Sequence, residues 1–495
     1  MGIVIKQSIR SSLLAYIGFA IGAINFLFIF PNFLSVDQVG LLRVIPSAAF
    51  LLATFAQLGL APGIIKFLPS YKSGSVERKE FLGFTVIAAL IGYGALLGTT
   101  YFFKDQILNY YAQKSPLFVD YFQISLIIAL FLLFIQMSEA YSRSLLKSIA
   151  PILIRDVILR LMTTVTVLLY GFSVIQFDDF INLFVLLYGI TLLLHIGYFI
   201  SLKAANVTFK FKNLRKSELT KILKYGLFTL IGASGTQIVL QIDSLMVAGI
   251  KGLDATGIYT IAFFIGTFIE IPKRAVTQIT TPLMAQAFQN GKMKEVAQYY
   301  KQTSINQLVI GGLLWVGVWA NLDSIYMIMP NSEVYQAGFN VVLLIGLGKL
   351  TDMLFGVNGE IIVLSKYYKF NVLTVAILAI AIIVGNLMLI PNYGIDGAAA
   401  ASLGAMLLFN LIKFIFVFVK FKIQPFSINT IKFLGIIGIV ILLNLATPRI
   451  NNVYIDVVIR SFSITTALLI LTYFMKVSPE INGILNRVLK VSNVK

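Results

Sequence analysis

Residues 36–43, VDQVGLLR, and residues 253–260, LDATGIYT, decide how this chain is built. An offset of 217 residues lays Gly40 on Gly257 and Asp37 on Asp254. The same offset carries YKSGSVERKEF at 71–81 onto FQNGKMKEVAQ at 288–298, Gly74 on Gly291, without a gap. The first pair of stretches opens an apolar run and the second lies in a basic connection. Few residues are identical, but apolar and basic stretches follow in the same order, the mark of one structural unit present twice.

Working outward, apolar runs fall at about 11–30, 41–69, 81–103, 117–138, 152–174, 180–201, 222–249, 255–285, 305–329, 337–364, 370–390, 396–419, 428–447 and 455–475. Each reaches the length of about 20 residues that a helix needs to cross a bilayer. The 495 residues are 58% hydrophobic and 12% charged, whereas soluble domains carry about 25% charge. No soluble fold hides so much apolar surface. The first run follows Lys6 and Arg10 as a signal peptide would, but it is longer than the apolar part of one and lacks a small-residue cleavage site, so it reads as the first spanning helix.

The net charge of +18 would point to nucleic acid in a soluble protein. Here the basic residues sit in alternate loops: Lys6 and Arg10; Lys72, Arg78 and Lys79; Arg143 and Lys147; Lys203 through Lys224, with Arg215; Lys292, Lys294 and Lys301; Lys366 and Lys369; Lys420 and Lys422; and Lys476, Arg487, Lys490 and Lys495. The other loops hold little beyond Lys104, Lys114, Lys251 and Arg449. The bias places both termini in the cytoplasm and requires an even number of helices, with membrane lipid rather than nucleic acid as the neighbour.

The predicted architecture is therefore an all-α integral membrane protein of about fourteen transmembrane helices. Two six-helix lobes are related by a parallel repeat about an axis along the membrane normal, and two extra helices follow. The expected divisions are 1–203 for the first lobe, 204–224 for a cytoplasmic linker, 225–422 for the second lobe, and 423–495 for the last two helices and a cytoplasmic tail. Ser217 to Tyr225 reads as a short interfacial helix start. In the tail, Ile481, Ile484, Leu485, Val488 and Leu489 share one helical face after Ser478-Pro479.

Ionisable residues within spans are expensive, and each is a candidate for function. The second run carries Arg43 and Lys66, and the fifth Arg155, Asp156 and Arg160. The seventh has Asp243, the eighth Glu270, Lys273 and Arg274, the tenth Lys349, Asp352 and Glu360, and the twelfth Lys413. Lys66, Arg155, Asp156 and Lys413 are close enough to helix ends to snorkel. Lys349 with Asp352, and Glu270 with Arg274, have the spacing of pairs within one helix. Asp243 has no basic residue one turn away, so its partner must come from another helix, an ion or a substrate. His195 reads as a bundle histidine. Cysteine is absent, and no nucleophile with a base, metal cluster or phosphate-gripping glycine loop is recognisable. A saccharide polymerase or glycosyltransferase would need a large extramembrane loop, and no loop exceeds about 25 residues.

Two six-helix lobes with an extra helix pair, the run LMLIPNYGIDGAAAASLGA at 387–405 and the segment from Ile242 to Phe288 together resemble the multidrug/oligosaccharidyl-lipid/polysaccharide (MOP) exporter superfamily. The second segment is similar to its polysaccharide transporter branch, which includes the Wzx-type O-antigen flippases. The resemblance implies alternating access around a cationic central cavity that takes a polyprenyl-pyrophosphate-linked oligosaccharide, with no cofactor. In that reading Arg43, Lys273 and Arg274 bind the head group, with Lys66, Arg155 and Arg160 as secondary basic sites. Asp243, Glu270, Lys349, Asp352 and Glu360 are candidates for the cavity wall or for coupling to H+ or Na+. The expected setting is the bacterial inner membrane, with other polysaccharide assembly proteins as partners. A cation-coupled multidrug exporter of the same superfamily is the alternative.

Overall fold

The computed structural model describes residues 2–202, 207–213 and 216–488. Lys203, Arg215, Leu489, Lys490 and Lys495, on which parts of the charge bias and of the tail rest, lie outside the described residues, as do the side chains of Lys6 and Arg10. Among the described residues there is no strand. In hydrocarbon a backbone must satisfy its own polar groups, and helices do so within one segment.

The predicted runs are helical. They form α1 (Leu13–Phe33), α2 (Val36–Ala56), α3 (Val76–Phe102), α4 (Phe122–Ser144), α5 (Leu159–Gly171), α6 (Phe177–Ser201) and α7 (Lys216–Lys251). The second half gives α8 (Leu253–Gln289), α9 (Met293–Ile328), α10 (Ser332–Leu354), α11 (Tyr368–Phe421), α12 (Ile428–Ala446) and α13 (Val453–Phe474). A surface helix, α14 (Pro479–Val488), follows. Eleven of these stretches are long and apolar enough to cross a membrane. The more polar α5 and α7 add two, and α11 holds both the eleventh and twelfth runs. It breaks after Pro391 at Gly394, whose φ of 57° and ψ of −134° lie where a residue with a Cβ is strained.

Local chemistry sets the ends. Ser35 and Gln38 form a capping box at the start of α2, and the Ser75 hydroxyl accepts from the Arg78 amide at the start of α3. Two helices carry π-turns: α1 at Asn25–Ile29, and the approach to α5 at Leu153–Ile158. In α8 a 3-10 turn at Phe268–Glu270 precedes Pro272, which has no amide hydrogen to continue the ladder. The interfacial start expected at 217–225 is instead continuous with α7. At 1.5 Å per residue the 36 residues of α7 span roughly 54 Å, more than the hydrocarbon core of about 30 Å, so one end projects from the bilayer.

The chain divides into two units, Met1–Thr260 and Ile261–Lys495. In the first, α2 packs on α4 and α7, α4 also packs on α6, and α1 lies against the π-turn before α5. In the second, α9 is central, touching α8, α10, α12 and α13. Its Leu308 and Val316 share an apolar core with Phe433 and Ile437 of α12 and Leu468 of α13. Arg449 pairs with Asp323, and Ser478 donates to Asn306 at 2.6 Å, so the segments flanking α13 are tied to α9 near its C-terminal end and near its middle.

Candidate substrate-binding site

A cavity of about 400 Å³ opens in the first unit among α1, α2, α4, α5, α6 and α7. Arg43, Arg155 and Arg160 line it, and Asp156 is the one carboxylate in the lining. Arg43 sits about two turns beyond the capped start of α2 and reaches across to α7. Its Nε donates to Ser244 Oγ at 3.1 Å and its Nη2 to the Leu240 carbonyl at 3.0 Å. One turn further on, Ser47 donates to Gln241 at 2.9 Å. Behind Arg43, buried Asp243 accepts from Tyr259 at 2.9 Å and lies in electrostatic range of the guanidinium. The partner of Asp243 thus comes from other helices, as its isolation in the sequence required.

Arg155 stands in the π-turn before α5. It donates from Nη1 to Glu139 of α4 at 3.0 Å and from Nε to Asp156 at 2.8 Å, with 48% of its side chain accessible. Snorkelling is therefore not its arrangement, nor that of Asp156: both are paired inside the cavity. Arg160 donates to the Gly18 carbonyl of α1 at 2.5 Å. Beside it Thr164 donates to Asn25, so the π-turn of α1 is held to α5. Three guanidinium groups in one lining give a site for an anion with several oxygens, because each planar fork can donate two parallel hydrogen bonds.

In the second unit lysines take the place of arginines. Lys273 pairs with Asp352, and Lys349 with Glu270 at 2.6 Å, each across from α8 to α10. The spacing within each helix had allowed pairs of Lys349 with Asp352 and of Glu270 with Arg274. The structure instead joins facing helices, because the 3-10 turn at 268–270 aims Glu270 and Lys273 at α10. Arg274 is exposed and Glu360 half-buried. Lys413 is buried, its ammonium 3.7 Å from the Phe409 ring centroid, so it does not snorkel. Lys66, by contrast, is exposed and rests on Tyr225 at 3.7 Å. Among the span residues named from the sequence, Lys273, Lys349 and Lys413 thus stand beside three carboxylates, Glu270, Asp352 and Glu360, with Arg274 exposed.

Of the three residues expected to bind a head group, Arg43 lies in the cationic cavity, Lys273 is held by Asp352, and Arg274 belongs to the second unit. Arg155 and Arg160, read as secondary, share the cavity with Arg43. His195 is buried and its Nδ1 lies 2.8 Å from the Thr191 carbonyl, the arrangement of a bundle histidine. Sequence reasoning missed Glu139 and Asn25, although a carboxamide inside an apolar run and a carboxylate at the edge of one were readable signals.

The fold is that of the MOP exporters. The lipid II flippase MurJ in an inward closed conformation matches with a TM-score of 0.74 and 15% identity, over 94% of this chain and 98% of that one. An inward-facing multidrug resistance MATE family transporter of the MOP superfamily matches with a TM-score of 0.61 and 12% identity, over 83% and 94%. A MOP superfamily transporter from Pyrococcus furiosus matches at 0.57 and 12%, over 84% and 96%. The model of the polysaccharide biosynthesis protein family matches residues 4–288, more than half of the sequence, and the chain belongs to that family. No curated protein matches it.

Proposed function

We propose that this protein is a flippase for a polyprenyl-pyrophosphate-linked oligosaccharide, an O-antigen or other surface polysaccharide precursor, which it carries from the cytoplasmic to the outer face of the inner membrane by alternating access. The observation that carries the reading is the convergence of Arg43, Arg155 and Arg160 on one cavity. A pyrophosphate cannot enter hydrocarbon uncompensated, and paired guanidinium donors replace its lost water. Membership of the polysaccharide biosynthesis family agrees with a saccharide cargo. In this reading the lipid tail stays in the bilayer, both termini face the cytoplasm, and other polysaccharide assembly proteins supply and take up the cargo.

Within the same reading, the paired cluster of Glu270, Lys273, Lys349 and Asp352, with Glu360, and separately Asp243 of the first unit, are where an H+ or Na+ gradient would act. Such a cluster is also what a cation-coupled multidrug exporter would use, and it is the observation that favours that second reading. The test is the transbilayer distribution of polyprenyl-linked oligosaccharide in cells depleted of the protein, read with a probe confined to the outer face. Accumulation on the inner face, rescued by the wild type but not by Arg43→Ala with Arg155→Ala, is expected. An unchanged distribution would transfer the case to drug export.

A further inference from the structure

A second cavity, of about 460 Å³, lies in the first unit among α3, α4, α6, the short helix Leu60–Phe67 and the connection after α6. It shares no lining residue with the arginine cavity. On α4, Leu132 faces the one and Phe134, Met137, Ser138 and Tyr141 the other. Its wall is apolar, built from Leu82, Val86, Phe134, Met137, Ile196 and Phe199. The hydroxyl of Thr85 is spent on the Leu82 carbonyl at 2.8 Å. Ile196 and Ile200 are exposed on the outer surface of α6, so the wall continues into the face that meets lipid. The volume is that of a small-molecule site, and the chemistry is that of a hydrocarbon chain.

A charge stands against one residue of this cavity's wall. Tyr141, part of the wall, accepts from Arg78 Nη2 at 3.0 Å, and the guanidinium carbon lies 5.7 Å from the Tyr141 ring centroid. Arg78 is 8% exposed, and among the described residues no carboxylate lies within 4.0 Å of it. The nearby carboxylate of Glu80 is turned to the connection between α6 and α7. It accepts from the Lys212 amide at 3.1 Å and from the Asn213 amide at 2.9 Å. A buried guanidinium with a neutral partner is costly unless an anion completes it. An apolar cavity with such a group bonded to its wall through Tyr141 fits a molecule with one anionic head and an apolar chain.

We propose that this cavity binds an anionic phospholipid, one acyl chain between α3, α4 and α6 and its phosphate at Arg78. The basic residues Lys79 in the first turn of α3 and Lys147 and Lys210 on the connections at this end place the site in the leaflet that the charge bias assigns to the cytoplasm. The choice of a resident phospholipid over the transported lipid rests on the function proposed above, since that lipid's single head group is taken by Arg43, Arg155 and Arg160. Clamping the connection between α6 and α7 to the start of α3 through Glu80 and through the Thr208 amide on the Lys79 carbonyl, at 3.2 Å, gives the lipid a fixed rim.

The test is native mass spectrometry of the full chain in neutral detergent, titrated with phosphatidylglycerol and with phosphatidylcholine of the same chains. Wild type should hold one phosphatidylglycerol at least about tenfold more tightly than phosphatidylcholine, as a charge-assisted contact requires. Arg78→Gln should bring the ratio close to one and Arg78→Lys should keep a preference, which separates loss of charge from loss of fold. Ser138→Leu, adding bulk to the cavity wall, should weaken both lipids together. Arg43→Ala should leave phosphatidylglycerol binding unchanged even if the flippase reading fails. Equal affinities in the wild type, or an undiminished preference in Arg78→Gln, would overturn the site. Displacement of phosphatidylglycerol by polyprenyl phosphate, with loss of both in Arg43→Ala, would overturn the choice of occupant.

Discussion

Gly40 and Gly257 each lie against the backbone of the other's helix. A Cβ built on Gly40 would stand 2.1 Å from the Leu253 carbonyl oxygen, and one built on Gly257 would stand 2.1 Å from that of Val36. Val36 and Leu253 are themselves partners at the offset of 217 residues, so the contact is a local two-fold in which each copy of the repeat makes the same approach to the other. Asp37 and Asp254, also partners, are close enough for their charges to interact. The repeat read from spacing is thus present as a symmetric contact between helix starts.

That contact admits no side chain. Gly40→Val should destabilise the protein by about 1–3 kcal/mol or more, because neither carbonyl can move without shifting a helix. Gly257→Val should do the same. Thermal unfolding of the purified protein checks this, and Gly94→Ala on α3, which has open space around it, is the control that should keep the wild-type melting temperature.

The arginine cavity makes a prediction about geometry rather than charge alone. Arg43 donates from two nitrogens at once, to Ser244 and to the Leu240 carbonyl, which a lysine ammonium cannot reproduce with the same fork. Arg43→Lys should therefore lose most of the affinity for a polyprenyl pyrophosphate, on the order of tenfold or more for each charged hydrogen bond lost. Arg155→Lys, whose present partners are Glu139 and Asp156, should lose less. Equilibrium binding in detergent orders the two variants, and the reverse order would refute the assignment.

The crossed pairs in the second unit call for a double-mutant cycle. Lys349 and Glu270 have side chains 11% and 25% accessible. Lys349→Ala leaves Glu270 facing Lys273 alone and should cost about 3 kcal/mol. Lys349→Ala combined with Glu270→Ala should recover much of that loss, because no uncompensated charge remains. Denaturant unfolding of both single variants and the double variant gives the coupling.

Why some of this was readable from sequence and some was not follows from distance along the chain. Runs of about 20 apolar residues and an offset of 217 are local or periodic properties, so the helices and the repeat were legible, as was the need of Asp243 for a partner on another helix. The pairing of Lys273 with Asp352 joins residues 79 positions apart. Its choice over Lys349 with Asp352 depends on how a 3-10 turn rotates the start of the Pro272 segment, which periodicity does not encode. Arg155 read as a snorkelling residue because its distance from a helix end was visible and the facing Glu139 was not. The break in α11 lay inside PNYG at 391–394, whose Pro and Gly announced it. The continuity of α7 through 217–225 was hidden by residues that cap and start helices equally well.

Asp243 decides between a coupling site and a structural support for Arg43. It is 3% exposed, accepts from Tyr259, and lies in electrostatic range of Arg43. Asp243→Asn keeps an oxygen for the Tyr259 hydroxyl, so folding should survive with a stability loss of roughly 1 kcal/mol, while the carboxylate charge is gone. If the residue carries the coupling ion, transport in vesicles should lose its dependence on an imposed H+ or Na+ gradient while substrate still binds. If its role is to hold Arg43, substrate affinity should fall and the remaining transport should respond to the gradient as in the wild type. Tyr259→Phe separates the two further: it removes the hydrogen bond but leaves the charge, so a coupling carboxylate keeps its gradient response and only its alignment with Arg43 is disturbed.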